Sequence, residues 1–420
     1  HSLMGVRMLQ QIRARLGVSL PLSVLGGNVT LRQLAATVEK TPGNRPAAVL
    51  ERRPVADLEP WTEPEFTSVS PPRTGGDILL TGATGLLGQA LLKELLEHGR
   101  EKIVCLIRAS SDAEADRRLR GLPGEFSGRF AGRLEALSCD LNHPDLGLNP
   151  TCRERLEQTI GAVYHCAAEV NFTPSFERLV PSHVGATRGL VQLAARAGAV
   201  FHHVSSVAVF PYGGSAARRE DEDLTAVGTL AGGYAQAKWA AERLVWKASV
   251  LDLRTVVYRP GQIVGRGTGF TCDLFGHVWR CCRLLGAVPD LGLSLNFITA
   301  DYAARVLHRL SRQPTAVGGV FHLVHPHPVP LQQFAHSLPS QPMLVSWEKW
   351  KILLREATET RSDDSLAFVL HLTGELSEAE VLPPAIDRRR TTLALGAEDE
   401  GSGTWEERLR FFANTEAGGS

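Results

Sequence analysis

Residues Asp77–Gly99, DILLTGATGLLGQALLKELLEHG, decide the fold of this chain. They begin with a short apolar run, pass through a turn with three glycines and end in a stretch whose leucines recur at helical spacing. A strand, a tight turn and an amphipathic helix are therefore predicted in that order. Such a unit is typical of the start of an alternating α/β fold.

Further apolar runs follow this unit, and helical patterns separate most of them. The runs are KIVCLIRAS (102–110), RLEALSCDL (133–141), AVYHCAAEV (162–170), AVFHHVSSVAVF (199–210) and LRTVVYRPGQIVG (253–265). Helices are predicted at HVGATRGLVQLAARAG (183–198) and YAQAKWAAERLVWKASV (234–250). Buried strands that alternate with helices predict an α/β Rossmann fold, a doubly wound parallel sheet with helices on both faces.

The chain is predicted to divide into four parts. Residues 1–40 form a short helical segment, in which Thr30 can cap the second helix. Residues 41–75 form a linker, because seven prolines and little periodicity fall in this region. Residues 76–265 form the Rossmann domain. Residues 266–420 mostly form a smaller C-terminal substrate-binding subdomain, with a return to the sheet near 318–325.

Bulk composition argues against several classes of function. The 45 Lys and Arg residues balance 45 Asp and Glu residues, so no net field favours nucleic acid as a partner. No apolar run approaches the roughly 18 residues of a membrane span, and the first residues do not resemble a secretory signal. No membrane association and a cytoplasmic location are therefore expected. The seven cysteines show no CxxC spacing, which indicates neither a disulfide framework nor a metal site.

The three glycines of the turn predict a dinucleotide site. Gly82 permits the tight turn, Gly85 allows the close approach of a pyrophosphate, and Gly88 lets the helix pack near the strand. The free N–H groups at the start of the helix would face the anion. The residues predicted to contact the cofactor here are Thr81, Gly82, Thr84, Gly85, Leu86, Leu87 and Gly88.

The ends of the next two strands indicate which dinucleotide binds. Arg108 stands where an NAD-selective site usually has an acidic residue. Its guanidinium group can pair with a 2′-phosphate, so NADPH is favoured. Asp140 and Leu141, at the end of the third strand, are expected to border the adenine.

A tyrosine and a lysine on one helix carry the predicted chemistry. Tyr234 and Lys238 are four residues apart, so a helix places both on one face. An ammonium group near a phenol lowers the pKa of the phenol and makes proton transfer feasible. Lys238 would also hold the nicotinamide ribose. Ser206 is expected to hydrogen-bond the same substrate oxygen as Tyr234, and Ser205 is the less favoured choice.

Seven stretches carry a resemblance to a known family: TGATGLLG, CLIRAS, CDLNHPDLGL, HCAAEVNF, VSSVAVF, YAQAKWAAE and YRPGQIVG. With them, residues 77 to about 415 resemble the thioester reductase domains that end nonribosomal peptide and polyketide synthases, aminoadipate reductases and carboxylic acid reductases. These domains belong to the extended short-chain dehydrogenases.

The resemblance implies roles for further residues. Those implied to line the cofactor are Arg108 at the 2′-phosphate, Ala167 and Ala168 along its length, and Tyr258, Arg259 and Pro260 at the nicotinamide end. Asn171 would lie near the substrate entrance. The sequence departs from the family at His183, which stands where such proteins usually have the asparagine of an NVxGT-like motif. Histidine can still donate one hydrogen bond, but it differs in size and titration.

The N-terminal residues carry a second resemblance. His1-Ser2-Leu3, the amphipathic helix after it and GVSLPLSVL are similar to the second half of an acyl or peptidyl carrier domain. In that family the serine of this motif carries the phosphopantetheine arm, so Ser2 is the matching position. A bundle without its first helix buries its apolar stripes poorly. The segment is therefore expected to be disordered, docked on the reductase or a remnant of a domain boundary.

Together these features predict an NADPH-dependent oxidoreductase that reduces a carrier-bound acyl or peptidyl thioester. The product would be an aldehyde, with further reduction to an alcohol left open, and upstream modules of a larger synthase or reductase would supply the substrate. Three alternatives stay open. They are an acyl-CoA reductase, a nucleotide-sugar epimerase or dehydratase of the same family, and a non-reducing cofactor-binding or cyclising relative.

Overall fold

The structure is a computed structural model. It describes residues 30–41, 50–122, 130–213, 216–264, 274–336, 341–374 and 376–396, together with some positions between 5 and 24. Ser2, the predicted phosphopantetheine attachment site, lies outside the described residues. Among the helices that are described, none is both long and apolar enough to cross a membrane.

Strands and helices alternate along most of the described chain. The strands are β1 (Arg52–Pro54), β2 (Asp77–Thr81), β3 (Ile103–Arg108), β4 (Leu134–Cys139), β5 (Ile160–His165), β6 (Val200–Val204), β7 (Thr229–Ala231), β8 (Thr255–Pro260), β9 (Gln262–Val264), β10 (Ala287–Pro289), β11 (Ser294–Leu295), β12 (Phe297–Thr299), β13 (Val320–Leu323), β14 (Val329–Pro330) and β15 (Met343–Val345). The α-helices are α1 (Leu31–Lys40), α2 (Leu86–His98), α3 (Asp112–Arg120), α4 (Pro150–Thr159), α5 (Phe176–Val180), α6 (Ala186–Ala197), α7 (Gly233–Val250), α8 (Leu274–Leu285), α9 (Ala300–Ser311), α10 (Leu331–His336), α11 (Trp347–Thr360), α12 (Asp364–Thr373), α13 (Glu378–Val381) and α14 (Arg389–Leu395).

Seven strands form one parallel sheet in the order β13-β8-β6-β5-β2-β3-β4. Leu80 of β2 lies opposite Cys105 of β3 on one side and Tyr164 of β5 on the other. The strand order runs outward from β2 in both directions, so the direction of the crossovers reverses between β2 and β5. The predicted Rossmann fold is confirmed.

Alternate residues along the strands supply two cores. Leu79 belongs to the core covered by α6 and α7, and Leu80 belongs to the core covered by α2 and α9. Because both faces are covered, both sets of side chains are apolar. This is why the strands read in the sequence as continuous apolar runs instead of alternating ones.

A third core lies in the C-terminal part of the chain. There α8, α10, α11 and α12 pack with the strand pairs β9-β12, β10-β15 and β11-β14. Leu9, Val18, Leu20 and Leu34 of the N-terminal segment are buried in this same core. Of the three states expected for that segment, its described residues therefore show the docked one.

Two local features of the first 75 residues bear on the sequence predictions. Thr30 caps α1 as expected, since its Oγ1 accepts a hydrogen bond from the N–H of Gln33 at 3.3 Å. Part of the proline-rich stretch is packed on the Rossmann domain, because β1 pairs antiparallel with β7 and Leu58 is buried in the core under α7. These residues are held by both backbone pairing and apolar burial.

Candidate active site

The glycine turn between β2 and α2 has no room for larger residues. Gly82 has φ +77°, and a Cβ there would lie 2.6 Å from the backbone nitrogen of Ala167. A Cβ on Gly88 would lie 1.9 Å from the carbonyl oxygen of Gly82. Gly85 precedes α2 as its N-cap, and no side chain caps the helix. The turn therefore leaves the helix N-terminus open to an anion, as a dinucleotide pyrophosphate requires.

A buried threonine, Thr81, links the ends of β2 and β5, the two strands between which the direction of the crossovers reverses. Thr81 Oγ1 lies 2.9 Å from Nδ1 of His165, and the N–H of Ala167 donates to the same oxygen at 3.2 Å. Ala167 and Ala168 are half-buried and follow β5 beside the turn. The structure thus brings Ala167 next to Gly82, and Ala168 follows it directly in the chain.

The ends of β3 and β4 lie side by side. Arg108 is exposed and pairs in register with Cys139. Asp140 follows directly, and its Oδ1 accepts a hydrogen bond from the N–H of Asn142 at 3.0 Å. The guanidinium group of Arg118, on α3, donates to the carbonyl oxygen of Arg108. Arg118 was not among the predicted cofactor residues. Two guanidinium groups therefore stand where one was predicted.

The predicted catalytic residues meet at the start of α7. Tyr234 is 8% exposed and Lys238 is 4% exposed. Ser206, which follows β6, lies close enough to Tyr234 for its hydroxyl to lower the pKa of the phenol. Ser205 instead donates to the carboxylate of Glu242. The structure thus pairs Tyr234 with Ser206 and turns Ser205 away.

Burial sets the electrostatics of this pair. It raises the pKa of Tyr234 to about 12, and the nearby Ser206 hydroxyl offsets only part of that effect. It lowers the pKa of Lys238 to about 8, against the opposing effects of Cys166 and Glu242. Lys238 Nζ donates to the carbonyl oxygen of Val204 at 3.0 Å. The decrease in the pKa of Tyr234 that was expected from the lysine is not found, because burial of the phenol and the nearby Ser206 hydroxyl are the effects that set this pKa.

His183 occupies the place of the expected asparagine. It lies in a short π-helix, Pro181–Gly185, and its ring stands edge-on to that of Tyr234 with the centroids 5.8 Å apart. Burial lowers the pKa of His183 to about 3, with a further contribution from the charge of Lys238. The ring is therefore neutral at physiological pH, and Nε2 lies 3.1 Å from the carbonyl oxygen of Glu169. The histidine can hold the loop after β5, which leads to the half-buried Asn171.

The YRP stretch at the end of β8 points largely into the protein. Tyr258 is fully buried, and its hydroxyl lies 3.1 Å from Nδ1 of His202. Arg259 is fully buried in an ion pair with Glu242. Both side chains are therefore engaged inside the protein, and the role of Tyr258, Arg259 and Pro260 at the nicotinamide end stays a prediction. Glu242 was missed in the sequence, although its place one turn after Lys238 is a usable signal.

Residues 80–307 match the model of an NAD-binding family described as Male sterility protein. The chain belongs to this family. The family model covers the turn after β2, the end of β3 and the whole of α7, so it spans every element that positions the site. A second model, described as Phosphopantetheine attachment site, matches residues 1–38. This match confirms the predicted similarity of the N-terminal residues to a carrier domain.

Proteins similar to this chain include reductases and peptide synthases. Glycine betaine reductase ATRR of Emericella nidulans is 30% identical over 84% of this chain and 30% of its own length. The L-2-aminoadipate reductase large subunit of Candida glabrata is 26% identical over 93% of this chain and 32% of its own length. The chain thus spans less than a third of the length of these curated relatives.

A solved structure extends the similarity to almost a whole domain. The crystal structure of the terminal R domain from the myxalamid PKS-NRPS biosynthetic pathway has 30% sequence identity and a TM-score of 0.78. The match covers 86% of this chain and 97% of that one. The predicted resemblance to terminal reductase domains is therefore confirmed.

Proposed function

We propose that this chain reduces a carrier-bound acyl or peptidyl thioester to an aldehyde, with NADPH as the reductant. The observation that supports this most is the placement of Ser206 near the buried Tyr234 and Lys238 of α7, in a chain whose own N-terminus matches a phosphopantetheine attachment domain. The upstream modules of a longer synthase or reductase would load the carrier.

The residues present fit a dinucleotide. The glycine positions that a Cβ would obstruct, and the uncapped start of α2, suit a pyrophosphate. Arg108 and Arg118 suit a 2′-phosphate, because guanidinium groups form charge-assisted hydrogen bonds with phosphate oxygens. A bound reduced nicotinamide supplies the hydride.

The side chains of the protein supply the proton and the orientation. Ser206 hydrogen-bonds to the thioester carbonyl oxygen, and Tyr234 donates a proton to that oxygen as negative charge develops on it. A pKa raised to about 12 keeps the phenol protonated, which is the form required of an acid. Lys238 would hold the ribose hydroxyls of the bound cofactor. The resulting hemithioacetal collapses to an aldehyde and releases the carrier thiol, with Ser2 as the proposed attachment site in this chain.

One substrate panel tests the proposal. The same acyl groups are presented on a complete phosphopantetheinylated carrier protein, on pantetheine and on coenzyme A, and NADPH oxidation and aldehyde release are measured. Aldehyde formation from the carrier at the highest kcat/KM supports the proposal. Preference for coenzyme A would favour the acyl-CoA reductase, and cofactor binding with no oxidation of NADPH on any thioester would favour a non-reducing role.

A further inference from the structure

A cluster of metal-ligating side chains lies outside the proposed active site, where α2 and α9 pack against each other. It consists of Glu94 and His98 on α2 and His308 on α9. One ligand atom from each residue can be chosen so that all of them lie within 4.8 Å of one another. Nothing in the proposed reaction uses these three residues.

The spacing within the cluster suits a small ion. Nδ1 of His98 lies 3.3 Å from Oε2 of Glu94. For a tetrahedral ion with bonds of about 2.0–2.1 Å, neighbouring ligand atoms are about 3.3–3.4 Å apart. This pair therefore already has the separation of two ligands on one ion. The same Nδ1 lies 3.2 Å from the carbonyl oxygen of Glu94, a solvent-accessible contact that an ion would replace.

His308 approaches from the second helix. Its ring centroid lies 5.8 Å from that of His98, with the rings tilted by 38°. His308 is buried, whereas the side chain of His98 is 57% exposed and that of Glu94 is 16% exposed. The cluster thus has a fixed inner ligand and two outer ligands that can adjust, with a side open to solvent for a fourth, water ligand.

The surrounding charges permit a cation. His98 ends α2 and His308 lies in the last turn of α9, so the partially negative ends of two helices meet at the cluster. Lys93, Arg305 and Glu97 act on Glu94, and Arg312 and Glu101, which form an ion pair at 2.8 Å, act on His308. These neighbours are close to charge balance.

We propose that Glu94, His98 and His308 bind one divalent transition-metal ion of the zinc class, and that the ion clamps the C-terminal turn of α2 to that of α9. Two imidazoles and one carboxylate form a ligand set that suits Zn²⁺, Co²⁺ or Ni²⁺ better than Mg²⁺ or Ca²⁺. The cysteine spacing examined in the sequence could not reveal this site. It contains no cysteine, and its third ligand lies far along the chain.

Metal titration of the untagged, chelator-treated chain tests the site. Co²⁺ followed by absorption and Zn²⁺ followed by calorimetry should each show one saturable ion per chain. Because the ion binds only the folded state, Zn²⁺ at about a hundred-fold excess over its Kd should raise Tm by about 3 °C. Glu94→Gln, His98→Ala and His308→Ala should each abolish both effects. His336→Ala, which changes an exposed histidine at the end of α10, should retain them.

Three outcomes would overturn the proposal. The first is the absence of saturable binding. The second is a thiolate-to-cobalt charge-transfer band, or binding that all three variants retain, either of which would assign the ion to other residues. The third is saturable binding that leaves Tm unchanged, which would rule out a clamp. Since Glu94 and His98 reach solvent, their variants should fold even if His308→Ala does not, and Tm in the presence of chelator checks this.

Discussion

Glu242 and Arg259 form an ion pair in which neither side chain has any exposure to solvent. Arg259 Nη2 lies 2.6 Å from Glu242 Oε1, and Arg259 Nε lies 3.0 Å from the same oxygen. Glu242 lies one turn after Lys238 on α7, and Arg259 lies on β8. The pair therefore fixes the helix that carries Tyr234 and Lys238 to the central sheet.

Loss of one partner should destabilise the protein strongly. Arg259→Met leaves the Glu242 carboxylate buried without its cation, which costs about 3–5 kcal/mol of unfolding free energy. Urea denaturation measures this change. The control is Arg280→Met, because the Arg280–Asp363 pair is largely exposed on the arginine side and should contribute no more than about 1 kcal/mol. Equal losses in the two variants would contradict the role given to the buried pair.

The fold was predictable because its signals are local. The strand before GATGLLG and the helix α2 after it are each indicated by residues that are close together in sequence. A strand, turn and helix joined in this way can pack in only a few arrangements. The same holds for Tyr234 and Lys238, which one helix turn brings together. The choice of Ser206 over Ser205 also came from local order along the strand.

The remaining features depend on contacts between distant segments. Arg118 reaches the backbone of Arg108 only after α3 folds back on β3. The ion pair of Arg259 with Glu242 joins β8 to α7, and the expected place of Arg259 near the nicotinamide does not reveal it. The pKa of Tyr234 rises because the site is buried, and the depth of burial depends on the packing of the whole sheet. Sequence spacing carries none of this information.

The cofactor preference should depend on two arginines. Arg108→Ala and Arg118→Ala each remove a guanidinium group at the end of β3, so each should weaken NADPH binding by about 10- to 100-fold and leave NADH binding nearly unchanged. Fluorescence titration with both cofactors measures this. Arg120→Ala is the control, since Arg120 pairs with Asp116 on the same helix. Equal weakening of NADPH and NADH would refute the assignment.

Buried histidines should make the protein sensitive to acid. Burial lowers the pKa values of His165, His183 and His202 to about 3, below the value of 6.5 in the unfolded chain. The unfolded state therefore binds more protons between pH 6.5 and about 3, and stability falls as the pH falls. Each such histidine contributes a slope of about 1.4 kcal/mol per pH unit in that window. Tm measured across this range should decrease steeply.

One histidine offers a matched test of that slope. His203 is buried on β6, and neither of its ring nitrogens has a hydrogen-bond partner among the described residues. Burial lowers its pKa well below 6.5, so it too resists protonation in the folded state. His203→Phe keeps the ring stacked near Phe201 and removes the proton uptake. The variant should gain more Tm at pH 5 than at pH 8, and an equal gain at both values would contradict the assignment.

Delivery by a carrier should raise the rate. A docked carrier raises the effective concentration of its thioester near Tyr234, so the same acyl group should react with a higher kcat/KM on a complete carrier protein than on free pantetheine. Single-turnover oxidation of NADPH measures both. A carrier with its serine changed to alanine, added as a competitor, controls for nonspecific effects of the protein. Equal kcat/KM values for the two substrates would contradict carrier-dependent delivery.

The chemical step itself should depend on Tyr234 and Lys238 in different ways. Tyr234→Phe removes the proton donor and keeps the ring, so hydride transfer should slow by roughly 100- to 10,000-fold while NADPH binds almost as before. Lys238→Ala removes a buried ammonium group that is expected to hold the cofactor ribose, so turnover and NADPH affinity should fall together. Stopped-flow oxidation of NADPH and a cofactor titration separate the two patterns.

Thermal unfolding of both variants distinguishes a loss of catalysis from a loss of folding stability. Tyr234→Phe should keep a Tm close to that of the parent protein, because it removes one hydroxyl and keeps the buried ring. Lys238→Ala also loses the hydrogen bond to Val204, so its kinetic loss is interpreted only at temperatures where the variant is folded. If Tyr234→Phe reduced a good thioester substrate within a few-fold of the parent rate, the tyrosine could not be the proton donor. Another group would then have to supply the proton.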